Sequence, residues 1–290
     1  MRIFKINWTA ILLFVSFCSS AQVEQASSNQ KNLLISTSLS FARYRDFATS
    51  PLFYEGKGTS LFMGWQAINE NRELTLGLDF LINLAYANAP ESDFYEVNTM
   101  GIFSGLEGSV GYLRNLKQLS GQNDFKLGGT LVGNQNMRVN PSLGNSSTGI
   151  ETLVNLMVSG KVQRDISRRE ESVVNFLFLS FRNRPVRRNL AFQLDAGVLN
   201  FNRRPSYNYA YTGFIDGTNT TNFSHAWDYY SWSMNGWRLR SKLDFTRFNS
   251  NGNGHKLAYA WDAMHSPGKH AAFQIGMHRI EYTLIINNNR

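Results

Sequence analysis

Cysteine is nearly missing from this chain: Cys18 is the only one in 290 residues, so neither a disulfide framework nor a thiolate metal site can form. Long apolar runs are also missing. Beyond the first 21 residues, no stretch approaches the roughly 18 to 20 apolar residues of a membrane helix. The formal charge is +8, but it is scattered among aromatics and glycines. With no basic helix, zinc knuckle or basic tail, it gives no ground for a nucleic-acid partner. A net-basic wall facing acidic lipid headgroups accounts for it.

What is present begins with a leader. Arg2 and Lys5 precede an apolar run from Trp8 to Phe17, then Cys18-Ser19-Ser20-Ala21. This is the order of a secretory signal peptide, with cleavage expected after Ala21. A lipoprotein reading would acylate Cys18, but bulky Phe17 sits where a small residue is wanted. The expected organisation is a signal peptide over 1–21, a short polar periplasmic lead over 22–30 and one domain over 31–290.

The stretch Glu73 to Tyr86 shows which solvents that domain meets. Even positions carry Leu74, Leu76, Leu78, Phe80, Ile82, Leu84 and Tyr86, whereas odd positions are mostly small or polar. A strand of this pattern has one oily face and one wet face. Its length exceeds the roughly 5 to 6 residues of a soluble strand and suits the roughly 9 to 11 that cross a bilayer. The fold expected is therefore all-β: a closed, antiparallel, up-and-down transmembrane β-barrel. A secreted β-sandwich is the alternative.

Tracing the same alternation gives about twelve strands. Three expectations follow from this phasing. Val173 to Arg184 is read as a full crossing, which puts Arg184, Arg187 and Arg188 outside the cell. A strand at about Ser206 to Ile215 keeps turns and loops in phase. On the last strand the apolar parity switches between Met277 and Ile280, which predicts a β-bulge near His278 or Arg279.

With its leader, its alternating strands and a final Tyr282-Thr283-Leu284-Ile285-Ile286 run, the chain resembles a bacterial outer-membrane β-barrel. The resemblance is one of architecture and carries no family motif. It implies localisation in the bacterial outer membrane, contact with outer-membrane lipids, and other envelope proteins as candidate partners.

Candidate chemistry is sparse. Phe248-Asn249-Ser250-Asn251-Gly252 resembles in part the His-x-Ser-Asn-Gly stretch of the outer-membrane phospholipase A family. In that family the His serves as base for the Ser, and here Phe248 replaces it. His265 and His270 bracket a turn without a third ligand, so no metal and no cofactor is expected. Gly101, Gly105, Gly108 and Gly111 open no helix and form no phosphate loop. Trp65, Tyr86, Tyr112, Phe125 and Trp237 fall near strand ends on the oily face, as membrane girdles do.

The inward charges say more. Apolar parity at Trp237, Leu239, Leu243 and Phe245 turns Arg238, Arg240 and Lys242 into the lumen. Hairpin geometry sets Asp79 opposite or diagonal to Glu107, and Asp262 beside Arg240. Mixed charges facing inward mean either a salt-bridged plug or a watered channel. No catalytic residue is expected. The function expected is a structural or accessory subunit of an envelope assembly, the alternative being a narrow passive pore for small solutes, anions among them. A phospholipase-like hydrolase comes third.

Overall fold

The computed structural model describes residues 29–88, 98–116, 123–146, 148–176, 179–183, 185–204, 231–268 and 271–288. The leader, the Ser206 to Ile215 strand, Arg184 and His270 fall outside the described residues. In chain order the strands are β1 (Gln30–Asp46), β2 (Ser50–Ile68), β3 (Arg72–Asn88), β4 (Asn98–Asn115), β5 (Asn123–Val139), β6 (Thr148–Asp165), β7 (Ser172–Phe176), β8 (Leu179–Asn183), β9 (Arg188–Arg204), β10 (Ser231–Met234), β11 (Trp237–Phe248), β12 (Gly254–Ser266) and β13 (Phe273–Asn287).

Ten of these close into a ring in the order β1-β2-β3-β4-β5-β6-β9-β11-β12-β13, with β13 pairing back onto β1. All neighbours are antiparallel. Closure leaves no open edge in the ring, which matters in a solvent that cannot hydrogen-bond to one. A short extra strand, β10, pairs among the described residues only with the end of β9, ahead of β11 and separated from it by Asn235-Gly236. The ring therefore has ten strands rather than about twelve.

One of the two surplus strands lies between β6 and β9; the other, Ser206 to Ile215, lies outside the described residues. β7 and β8 do not cross; they pair with each other as strands of 5 and 5 residues, outside the ring. Each is too short to span a bilayer. The hairpin projects at the barrel end that holds the chain termini, because Phe248, beside the Asn249–Asn253 turn, donates its backbone N–H to Arg187 O at 3.0 Å. The expected outside position of Arg187 and Arg188 is thus corrected to the terminal end. A tag inserted at Val186 should be labelled only after cells are permeabilised, whereas labelling on intact cells would invert the barrel.

The wall is built as the alternation requires. Leu39, Leu61, Leu78, Phe80, Leu131, Phe192, Leu243 and Tyr282 face outward and are exposed, while Ser38, Ser60, Asn83, Thr130, Asp244 and Thr283 face inward and are buried. The aromatics Tyr86, Tyr112 and Trp237 lie on the outer face near strand ends.

Register fixes the barrel's shape. A row of paired residues leaves β1 at Lys31, passes Ala67, Leu74, Tyr112, Gly129, Val158, Ala196, Leu239, Ala263 and Gly276, and returns to β1 at Arg43. The shear is therefore 43 minus 31, or 12, for ten strands. That corresponds to a strand tilt of about 40° and an interior somewhat wider than the eight-stranded barrel that side chains just fill. Filling this one takes long side chains.

The bulge is not on β13. Its register to β1 and to β12 is unbroken, and Phe273, Ile275, Met277, Arg279 and Glu281 all face inward. The parity switch there records a change in the lumen, from an apolar layer to a charged one. Register breaks occur instead on β9, where Leu156 pairs with Leu199 while Met157 pairs with Gly197, and between β1 and β2 after Tyr44. Val198 and Leu199 consequently both face outward and are exposed.

Candidate functional site

The lumen is filled in layers. Toward the end far from the termini, Tyr44 stacks on Tyr54 with ring centroids 5.2 Å apart, and Phe103 on Phe273 at 6.3 Å. Tyr44 and Phe103 lie 5.4 Å apart, joining the two stacks. Leu81, Leu153, Met264, Ile275 and Met277 complete an apolar layer inside the barrel.

Next to it sits a closed ring of four charges that sequence reasoning did not single out. Arg138 reaches Asp46 at 2.5 Å and Glu151 at 2.8 Å. Arg204 reaches Asp46 at 2.8 Å and also bonds Glu151. Both guanidinium groups lie over the Phe273 ring, at 4.7 and 5.2 Å. The Arg204 and Glu151 side chains have 0% exposure. Two acids against two bases leave this ring neutral, which is how charge survives burial.

Further toward the terminal end come the residues picked out from sequence. Asp79 and Glu107 are direct cross-strand partners, as are Arg240 and Asp262. The ion pairs run differently. Arg238 binds Asp262 at 2.6 Å and Glu107 at 2.6 Å, and donates to Asn155 Oδ1 at 3.2 Å. Arg240 turns to Glu107 at 2.8 Å and Asp195 at 3.5 Å. The expected direct pair between Arg240 and Asp262 is therefore corrected: adjacency in register does not fix which partner a long guanidinium chooses. Asp79 pairs with Arg279 at 2.6 Å, and Lys242 with Glu281.

A last layer holds Glu73 between Lys126 at 2.6 Å and Lys161 at 2.7 Å, with Gln66 donating to the same carboxylate at 2.9 Å. Between the layers remains a chamber of about 200 Å³, lined by groups of both signs including Lys161, Asp195, Lys242 and Lys256. Gly105 makes room on the wall: a Cβ there would stand 3.1 Å from Asn136 Oδ1, the amide whose nitrogen binds Glu151 at 3.0 Å.

The residues that sequence reasoning missed, Asp46, Glu73, Arg138, Glu151, Arg204 and Arg279, all occupy the inward parity of their strands. Parity carried along β3, β5 and β6 finds Glu73, Arg138 and Glu151, whereas Asp46 falls in a stretch that reads as a loop, Arg204 lies past the β9 bulge that reverses parity, and Arg279 sits where the parity of β13 switches. Ser250 lies in the tight Asn249–Asn253 turn, where Asn249 N–H donates to Asn253 O at 2.7 Å. Phe248 beside it lies under the Arg187 guanidinium at 4.4 Å. No group of three or more metal-ligating side chains occurs among the described residues.

Comparison with protein-family models and with curated proteins found no match. Among solved structures, the transport unit of the autotransporter AIDA-I from Escherichia coli is similar over 97% of this chain and 96% of that one, at 8% identity and a TM-score of 0.39. The translocator domain of the autotransporter NalP from Neisseria meningitidis is similar over 94% of each chain, at 12% identity and a TM-score of 0.24. Ail from Yersinia pestis gives 88% and 99% coverage, 8% identity and a TM-score of 0.27. The class rests on the molecule's own wall: an even-stranded closed ring, oily outside and charged inside, is stable only across a bilayer. The chain is an integral β-barrel of the bacterial outer-membrane type.

Proposed function

We propose that the protein is a sealed barrel without an enzymatic centre that serves as a structural or accessory subunit of an envelope assembly. The observation that carries this reading is the lumen itself: the aromatic cluster and the neutral four-charge ring share one level, with Asp46 pairing in register with Phe273 and Arg138 with Phe103, and the charged networks around Glu107 and Glu73 lie toward the terminal end. Each closed layer obstructs a solute, and a solute small enough to enter would have to break buried ion pairs that cost several kcal/mol to separate. Its surroundings would be outer-membrane lipids and neighbouring envelope proteins.

The test is electrical. Purified protein reconstituted in a planar bilayer should give a flat current trace, and cross-linking in intact membranes should recover other envelope proteins with it. Discrete conductance steps would instead support a narrow passive pore for small anionic solutes. The one observation favouring that second reading is the central chamber, where the Lys242 side chain keeps 38% exposure.

A further inference from the structure

The lipid-facing wall is uneven. On β3 the outward parity stays apolar from Leu74 to Tyr86, about 30 Å along the axis of a barrel tilted by 40°. On β13 it is apolar only from Ile286 to Ile280, about 15 Å on the same scale, before changing to His278, Gly276 and Gln274. On β2 it changes at Thr59, Lys57 and Glu55. Outer-membrane barrels carry an apolar band about 25 Å tall. One sector of this wall therefore sets polar groups where its neighbours present leucine, since Lys57 pairs in register with Leu84.

The same sector is hollow. A groove of about 1230 Å³ runs across β12, β13, β1 and β2 at the end far from the termini, flanked by Phe41, Phe53, Tyr86 and Trp237. Its charge is lopsided. Arg43 meets Glu55 at 3.3 Å, which leaves Lys57 in the lining, and Arg45 at its rim against the lining Phe53, with no carboxylate partner among the described residues. Arg45 lies over the rings of Phe47 and Phe53, at 4.1 and 4.9 Å, with a buried Nε that makes no hydrogen bond. His278 and Gln274 add hydrogen-bonding groups on the same face, the former bonded to Tyr259 at 2.6 Å.

We propose that this groove binds a phosphorylated glycolipid of the outer leaflet, drawn down against the shortened apolar band. Its acyl chains would lie on Leu39, Phe41 and Leu61, its phosphates would meet Lys57 and Arg45, and its sugar hydroxyls would reach Gln274 and His278. Two cations on neighbouring strands, with Arg45 four residues beyond the Phe41 that pairs with Lys57, match a headgroup with more than one phosphate better than a single-phosphate phospholipid. The site lies in the outer leaflet because the opposite end of the barrel holds the chain termini, an orientation that the Val186 tag tests separately.

Native mass spectrometry of the detergent-purified barrel, incubated with lipid A, reads the binding directly. Arg45→Gln with Lys57→Gln should lower lipid A adducts about tenfold, the loss expected when two charge-assisted contacts go. Arg72→Gln with Arg114→Gln, on exposed cations at the terminal end, should leave adducts unchanged, and heat-modifiable gel mobility confirms that each variant has folded. Equal adducts with phosphatidylglycerol would overturn the choice of a glycolipid. Unchanged lipid A adducts in the double variant would overturn the site, as would a lipid-free dimer whose groove residues cross-link to a second copy.

Discussion

Arg204→Ala should lower the unfolding free energy of the barrel by about 3 to 5 kcal/mol, the usual cost of leaving a buried charge without its partner. The side chain spans most of the sequence: its two acids stand at Asp46 on β1 and Glu151 on β6. Without it, Arg138 alone faces two carboxylates, and a neutral ring becomes a buried net negative charge. Adding Glu151→Gln restores neutrality and should recover about half of the loss, which urea unfolding of vesicle-refolded protein can measure. A cost for Arg204→Ala under about 1 kcal/mol would mean that this layer is wet and behaves as a surface pair does. The sealed-lumen reading would then fall.

Reversing Arg238 should be more damaging still. Arg238→Asp removes contacts to Asp262 and Glu107 and places a third acid beside them, so the heat-modifiable folded form should disappear. Adding Asp262→Arg rebuilds one pair with its sign exchanged, and the folded form should return in part, with a coupling of about 0.5 to 3 kcal/mol. The corresponding exchange at Arg240 and Asp262 should rescue little, because Arg240 spends its guanidinium on Glu107 and Asp195. Equal rescue by both exchanges would show that register adjacency, not the observed pairing, decides the partner.

The wall was legible because its rule is local. With oil on one side and charge on the other, Leu74 to Tyr86 states its own orientation two residues at a time. Strand count was less legible for a physical reason: 172–183 alternates as a crossing strand does, and only the pairing of Val174 with Phe181 shows that the chain turns back on itself. Parity switches proved ambiguous in an instructive way. On β9 the change from Val198 to Leu199 is a true bulge, whereas on β13 the change after Met277 arises because the lumen holds Phe273, Ile275 and Met277 in its apolar layer. Apolar does not always mean outward once a barrel interior is packed. The Arg238 ladder was readable from β11 alone, but its partners come from β4, β6, β9, β12 and β13, and a single strand cannot name what faces it across the ring.

The seam where β13 meets β1 runs from Asn32 with Asn287 to Asp46 with Phe273, and Asn288 N–H donates to Lys31 O at 2.8 Å beyond its end. The first strand to leave the ribosome therefore finds one of its two neighbours only when the last has been made. Throughout that interval one edge of β1 is open beside the oily row of Leu33, Ile35, Leu39 and Phe41, an arrangement that recruits other chains in water. Folding must accordingly wait for the bilayer and proceed from local hairpins to this longest-range zip. Once shut, the zip makes unfolding all-or-none: the seam cannot be opened from either end of the chain without parting the ring.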